Sequence, residues 1–358
     1  MGRHPFGVRT TGPQPDSVSD LETIRHAPFN AETPEHALRH GETPSENVYV
    51  RSNFDVPQLG LSHRIETSGH VDSPFAVSAH ELATLPQQTI SVTMECAGNS
   101  RLTMIPLPAG EPWKHGAVST MTWTGVPLRA LLERAGVRAG ATDVLFAGAD
   151  SGPRDDATGA VRFERSLPFQ DAMYPGTLLA LAMNGAPLTA AHGAPVRLVV
   201  PGWFGMANVK WLSRIEVSTV AFTGYFQRQR YVYDEAMGIT PVTRMRVKSM
   251  ITSPTDGARC TQSVMAEGWA WSGEGAITHV EVAVDGGDRW ISAELGIPAS
   301  EYAWTPWRCA LTLPRGMRCA LRSRATDAAG NVQPAQIAWN RLGYGNNAVR
   351  AIVVNTTG

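Results

Sequence analysis

A chain of 358 residues, 43% of them hydrophobic, has material for two or three folding units, so burying a core is not its difficulty. A formal net charge of -1, from 31 basic and 32 acidic residues, gives no global field to hold a polyanion or an anionic membrane surface, which weighs against a nucleic-acid partner. Four cysteines, Cys96, Cys260, Cys309 and Cys319, with no C-x-x-C pair, exclude a disulfide scaffold and a zinc knuckle and read as reduced thiols.

Residues 1–45 are rich in Pro, His, Glu and Thr with little apolar periodicity, and are expected to form an extended arm that wraps a neighbour or is partly disordered. The opening run MGRHPFGVRTTGPQPDS has no apolar h-region, and no stretch approaches the ~20 apolar residues of a membrane span. A cytoplasmic protein without a membrane span is expected, or a periplasmic one if a leader precedes this numbering. His36 and His40 stand four apart in a weak helical signal and could pair on a metal, although no carboxylate motif lies between them.

Over 46–248 strand-like and helical runs alternate, the pattern of a mixed α+β domain. Ser78 and Glu81 form a capping box that opens a short helix closing before Pro86. TISVTMEC is a strand ending at Cys96. Pro127 to Ala135 reads as a helix with Pro at its first turn and Gly136 as its C-cap. TDVLFAGAD, LLALAMNG, PVRLVVPG and VKWLSRIEV are further strand candidates. Over 249–358 the texture changes to short alternating strands, with Asp285-Gly286-Gly287 as a hairpin turn. This suggests an all-β, immunoglobulin-like sandwich of ~100 residues, in which most of Trp269, Trp271, Trp304, Trp307 and Trp339 serve core or interface packing.

Three constellations could carry chemistry. In Glu95-Cys96-Ala97-Gly98-Asn99-Ser100-Arg101 a cysteine leaves a strand and enters a turn that exposes the sulfur and successive backbone N–H groups. Arg101 would favour the thiolate and could hold an anion. The sulfur is then a soft metal ligand, a nucleophile, or simply a small buried apolar group. His192 and Arg197 flank a strand mouth with Lys210 after a glycine-containing turn, a set able to grip phosphate or a pterin edge, or merely to be solvated at sheet ends. Phe226 to Tyr231 is dense in arginine and aromatics, which fits a solvated face with one packed ring. No G-x-G-x-x-G, G-x-x-x-x-G-K or G-x-S-x-G is present, against dinucleotide, P-loop and serine-hydrolase chemistry.

Taken in order, VYVRSNFDVP at 48–57, ECAGNSR at 95–101, GEPWKHGAVSTMTWTGVPLRALL from Gly110, HGAPVRLVVPGWFGMANVKW from His192 and DAAGNVQP at 327–334 resemble the sulfite oxidase family, from about Asn47 to about Val349. The resemblance implies a molybdopterin-binding domain over 46–248 and a dimerisation sandwich over 249–358. It implies a molybdenum-molybdopterin cofactor with Cys96 as the protein's ligand to the metal. Cofactor contacts are implied at Tyr49, Val50, Arg51, Ser52, Asn53, Asp150, His192, Arg197, Asn208, Val209 and Lys210. The catalytic pocket is implied at Arg51, Arg101, Trp113 and Tyr231, the arginines orienting a small oxyanion and the tyrosine hydrogen-bonding its oxygen.

The implied activity is oxidation of sulfite to sulfate, with electrons passed to an external acceptor such as a cytochrome by a homodimer. The same cofactor acting on another oxyanion or S-oxide, including in the reductase direction as in nitrate reductase, is an alternative. A cysteine-nucleophile hydrolase using Cys96 with His192, and a dimeric binding module without the cofactor, are others. Two positions depart from the family pattern. Leu342 follows Arg341 where an arginine is common, and a one-residue shift in a strand would turn Arg341 to the other face. Ser100 also stands where an arginine is common. Both changes lower the positive charge available to sulfite.

Overall fold

The computed structural model describes residues 20–235, 238–285 and 289–357. Sheet dominates, and helices are few and short: Ala79–Leu82, Leu128–Ala135 and Phe169–Ala172. The alternation of strand-like and helical runs therefore overstates the helix in the first domain. The local signals that were strongest hold. The Ser78 hydroxyl accepts the Glu81 N–H and the Glu81 carboxylate accepts the Ser78 N–H, closing the capping box. The helix Leu128–Ala135 starts after Pro127 and stops at Gly136, whose φ of 67° is the left-handed conformation that glycine adopts without a Cβ penalty.

The first domain is built on two five-stranded sheets. In one, Gln88–Glu95 pairs with Val118–Pro127, which pairs with Leu178–Met183; the latter also pairs with Ala186–Pro187 and Arg197–Val199, all antiparallel. In the other, the order is Phe75–Ser78, Arg64–Gly69, Leu212–Ser218, Asp143–Pro153, Ala160–Pro168, with only the pairing of Leu212–Ser218 to Arg64–Gly69 parallel. Leu128, Leu131, Leu132 and Ala135 of the helix pack into the core with Ile65, Val144, Phe146 and Ile215 of the second sheet.

The second domain is a sandwich of two sheets. One runs Lys248–Ser253, Ser263–Trp271, Thr305–Thr312, Glu294–Leu295. The other runs Arg259–Cys260, Ala351–Thr356, Arg318–Asp327, Ile277–Val284, Ile291–Ser292. Alternate residues face inward, as in Arg318–Asp327, where Cys319, Leu321 and Ala325 are buried between exposed or half-buried neighbours. The hairpin expected at Asp285 has its residue Asp285 at a φ of 54°, while Gly286 and Gly287 lie outside the described residues.

Over residues 20–45 the arm is more firmly packed than its composition suggests. Residues 20–45 are packed on the first domain: Asn30–Glu32 is buried, Ala31 exchanges backbone hydrogen bonds with Val50, and the Glu32 carboxylate accepts the N–H groups of Lys114 and Gly116. Three tryptophans of the second domain reach back toward the first. Trp269 stacks on Trp304 at 5.1 Å; their indole N–H groups donate to the carbonyls of Leu38 and Gly41. The Trp271 indole donates to Glu95. Trp307 lies in the sandwich core, and Trp339 is half exposed. His36 and His40 sit exposed at the two ends of one 3-10 turn.

Candidate active site

Cys96 follows the last residue of the strand Gln88–Glu95. Its N–H donates to Ala117 O and its carbonyl accepts the Asn99 N–H, so the chain turns at once, with Ser100 left-handed at a φ of 67°. The sulfur lies at the meeting point of two spaces. A narrow cleft of about 70 Å³ continues into a wider funnel of about 370 Å³, and Arg51, Asn53, Cys96 and Tyr231 line both. Burial pushes the Cys96 thiol up, with the charges of Arg51 and Arg101 pulling the other way. Arg101 alone thus does not make it a thiolate, and bonding to a metal would be needed to hold the deprotonated sulfur.

The cleft gathers Tyr49, Val50, Arg51, Ser52, Asn53, Cys96, Asp150, His192, Arg197, Asn208, Lys210 and Tyr231 from separate parts of the chain. Val209 is the exception. It is fully buried in the hydrophobic core, with its carbonyl accepting the Leu198 N–H, and does not line the cleft. Asn208 lines it, but its side-chain amide is engaged in holding Val200 N–H and Phe204 O.

The polar groups of the cleft are held on one side and open on the other. Arg197 donates to the carbonyls of His192 and Asn208 and lies over Trp123, while its Nε has no partner. The Lys210 ammonium donates to Ser52 Oγ and Ala191 O. Asp150 Oδ1 is buried without a partner. Burial pushes Asp150 up to about 6 and lowers Lys210 well below the usual lysine range, each opposed by the other's charge. Two guanidiniums, a lysine and an orphaned carboxylate suit a group that carries both phosphate charge and ring N–H donors. The donor set therefore fits a pterin phosphate, and the soft sulfur of Cys96 fits a metal at its end.

His192 is not paired with Cys96. Its Nδ1 lies 2.8 Å from Thr189 Oγ1 and its Nε2 3.3 Å from Val48 O. Burial, reinforced by Lys210 and Arg197, depresses its pKa to about 3. A ring with both nitrogens engaged is no base for a cysteine nucleophile, which removes the geometric support for a hydrolase.

Arg51, Arg101, Trp113 and Tyr231, the residues at which the resemblance implies a catalytic pocket, all line the funnel. The Arg51 guanidinium is latched by Asn53 Oδ1 at 2.8 Å and by the Ser52 carbonyl, and Asn53 Nδ2 in turn donates to Tyr231 OH at 3.3 Å. Arg101 is buried and clamped by carbonyls: Nε and Nη2 donate to Leu342 O, and Nη1 to Glu111 O at 2.7 Å. Tyr231 ends a π-helical turn, Phe226–Arg230, that Arg165 braces from beneath by donating to Phe226 O and Val242 O.

The structure adds residues the motifs did not mark. Tyr344 packs on Tyr231 with ring centroids 5.3 Å apart and under Arg101; burial pushes its phenol up to about 12. Arg25, Arg154 and Arg230 ring the mouth. Arg230 falls in the arginine-dense run Phe226 to Tyr231; for Arg25 and Arg154 only the number of arginines in the chain could have served as a hint. Leu342 lines the funnel in a turn rather than a strand, whereas Arg341 points away and pairs with Asp234 at 3.0 Å. Arg341 does not restore the missing cation.

Residues 53–226 match the model of the oxidoreductase molybdopterin binding domain, and 240–357 that of the Mo-co oxidoreductase dimerisation domain. The mitochondrial sulfite oxidase of Homo sapiens is 35% identical over 95% of this chain and 67% of its own length. The sulfite oxidase of Gallus gallus is 33% identical over 90% of this chain and 75% of its own. A nitrate reductase of Solanum lycopersicum is 33% identical over 92% of the chain, but the chain spans only 40% of it. Among solved structures, the sulfane dehydrogenase SoxCD of Paracoccus pantotrophus superposes with a TM-score of 0.80 at 28% identity, covering 98% of this chain and 95% of that one. Matched in sequence and in fold over nearly its whole length, with both of its domains recognised, this chain belongs to the sulfite oxidase family of molybdopterin oxidoreductases.

Proposed function

We propose that this chain is a molybdenum-cofactor oxidoreductase that oxidises a small sulfur oxyanion, sulfite first among them, to sulfate. The observation that carries the proposal is the convergence of Cys96, Arg51, Asn53 and Tyr231 at the one place where the cleft opens into the cationic funnel. The residues on the cleft wall, chiefly Arg197, Lys210, Asp150 and the segment Tyr49 to Asn53, would hold the pterin, and Cys96 would ligate the metal. When bound, that cofactor supplies oxygen-atom transfer and takes up two electrons.

The rest follows from the chain's own side chains. Arg51, fixed by Asn53, and Arg101, fixed by two backbone carbonyls, present pre-aimed N–H donors to an oxyanion at little reorganisation cost. Tyr231 offers its hydroxyl beside them, and Trp113, fully buried, closes the wall. Water supplies the oxygen atom gained by sulfite, two protons are released, and two electrons leave to an external acceptor such as a cytochrome. The match of 240–357 to a dimerisation domain supports a homodimer. Four free cysteines, all buried, favour the cytoplasm, and among the described residues no helix is long and apolar enough to cross a membrane. The domain limits we propose are 1–45, 46–248 and 249–358, with Lys248 the boundary residue that opens the first strand of the sandwich.

A second reading rests on Leu342. An apolar side chain where the family commonly has a cation favours an oxyanion or S-oxide with less negative charge than sulfite. Steady-state reduction of a soluble c-type cytochrome, with sulfite and a neutral S-oxide or sulfinate compared as substrates, tests both. Turnover with sulfite, weakened mainly in KM by Arg51→Gln, is expected; turnover with none of them contradicts the proposal.

A further inference from the structure

Where the turn after Cys96 meets the second domain there is a separate cavity of about 250 Å³. It shares no lining residue with the cleft or the funnel. Its first-domain wall is Asn99, Ser100, Thr103 and His115; its second-domain wall comes from 248–251, Trp271, Asn346 and 348–352. Ser100 lines it, so a longer side chain at that position would extend into this space.

The cations around the cavity are unevenly spent. The Lys248 ammonium has used all three donors, on Glu95 Oε1, Ser100 Oγ and Asn346 O. Arg350 makes no hydrogen bond or ion pair among the described residues, and no carboxylate lines the space. His115 contacts Ser100 Oγ through Nδ1, and burial together with Arg350 and Lys248 keeps its ring neutral, with a pKa near 3. Met250, Ile251, Trp271, Val349 and Ile352 make one part of the wall apolar, beside the polar Asn99, Thr103, Ser249 and Asn346. A cavity with an apolar stretch of wall and one unspent guanidinium selects a ligand with an anionic head and an apolar body.

We propose that this cavity is a binding site for a small organic anion, a short-chain sulfonate or carboxylate, whose head is held by Arg350 beside Ser100 and His115 and whose tail packs on Met250, Ile251 and Trp271. It stands apart from the active site and rests on no assumption about cofactor or substrate. Isothermal titration of the purified full chain with 1-butanesulfonate, inorganic sulfate and 1-butanol tests it. Saturable binding of butanesulfonate, at least tenfold tighter than of either control, is expected. Arg350→Ala should weaken it at least tenfold while leaving turnover in the absence of the probe unchanged, and Ala348→Trp, which fills the space, should abolish it. Arg51→Ala, altered in the other crevice, should leave it intact. Absence of saturable binding, equal affinity in Arg350→Ala, or loss of binding in Arg51→Ala would each overturn the proposal. Arg350 is partly exposed and makes no hydrogen bond or ion pair among the described residues, so its substitution does not threaten the fold.

Discussion

Glu95 and Lys248 form a buried ion pair, Oε1 to Nζ 2.8 Å, that joins the residue before Cys96 to the first strand of the second domain. The same carboxylate accepts Asn99 Nδ2 at 2.9 Å and the Trp271 indole at 3.0 Å. The turn that presents the sulfur is thus held from both domains. Removing one partner leaves the other charge buried and uncompensated, a loss of about 3–5 kcal/mol. Lys248→Met should therefore lower the midpoint of urea unfolding clearly. Glu95→Gln added to it should recover most of the loss. If Lys248→Met unfolds like the parent chain, the pair does not brace the turn.

Leu342 should be convertible. Leu342 lines the funnel and its carbonyl already holds Arg101, so Leu342→Arg adds a cation without removing that clamp. The KM for sulfite is expected to fall several-fold, with the gain shrinking as ionic strength rises because screening weakens the added attraction. Steady-state kinetics at two salt concentrations check it; a KM unchanged at both would show that charge at 342 does not reach the substrate.

Acid should destabilise the chain freed of cofactor. His115 and His192 have folded pKa values of about 3, below the ordinary value near 6.5. The unfolded chain therefore binds more protons as pH falls, and the stability present above pH ~6.5 is lost toward the folded pKa. At pH 5 each histidine costs about 2 kcal/mol, at ~1.36 kcal/mol per pH unit. Thermal unfolding from pH 7 to 5 should show a falling Tm, and His192→Gln should flatten the slope. An equal slope in that variant would show that His192 is not held neutral.

Much of the site was legible because its signals are local. A strand running into a Gly-Asn turn marks where Cys96 is presented, and the Pro and Gly bounding Leu128–Ala135 mark that helix. Pairings across long separations were not. Glu95 meets Lys248 153 residues away, and Arg101 meets the Leu342 carbonyl 241 residues away. Neither contact has a periodicity to betray it. The contacts of residues 20–45 were not legible for a related reason: they come from Glu32 accepting the backbone N–H groups of Lys114 and Gly116 and from tryptophan N–H groups of the second domain, not from an apolar stripe of the arm's own. Val209 was carried along with its neighbours in a matching motif, whereas its side chain turns into the core.

Cys96 would hold the metal at the end of a cleft whose donors suit the pterin. Molybdenum per protomer, measured on parent chain and Cys96→Ser after expression in a host that makes molybdopterin, tests it most directly when read beside sulfite-dependent cytochrome reduction. The expected result is close to one molybdenum in the parent chain with sulfite turnover, and loss of turnover in Cys96→Ser with the thermal unfolding profile of a folded protein. A parent chain free of molybdenum, or a Cys96→Ser variant that oxidises sulfite at the parent rate, would contradict the account.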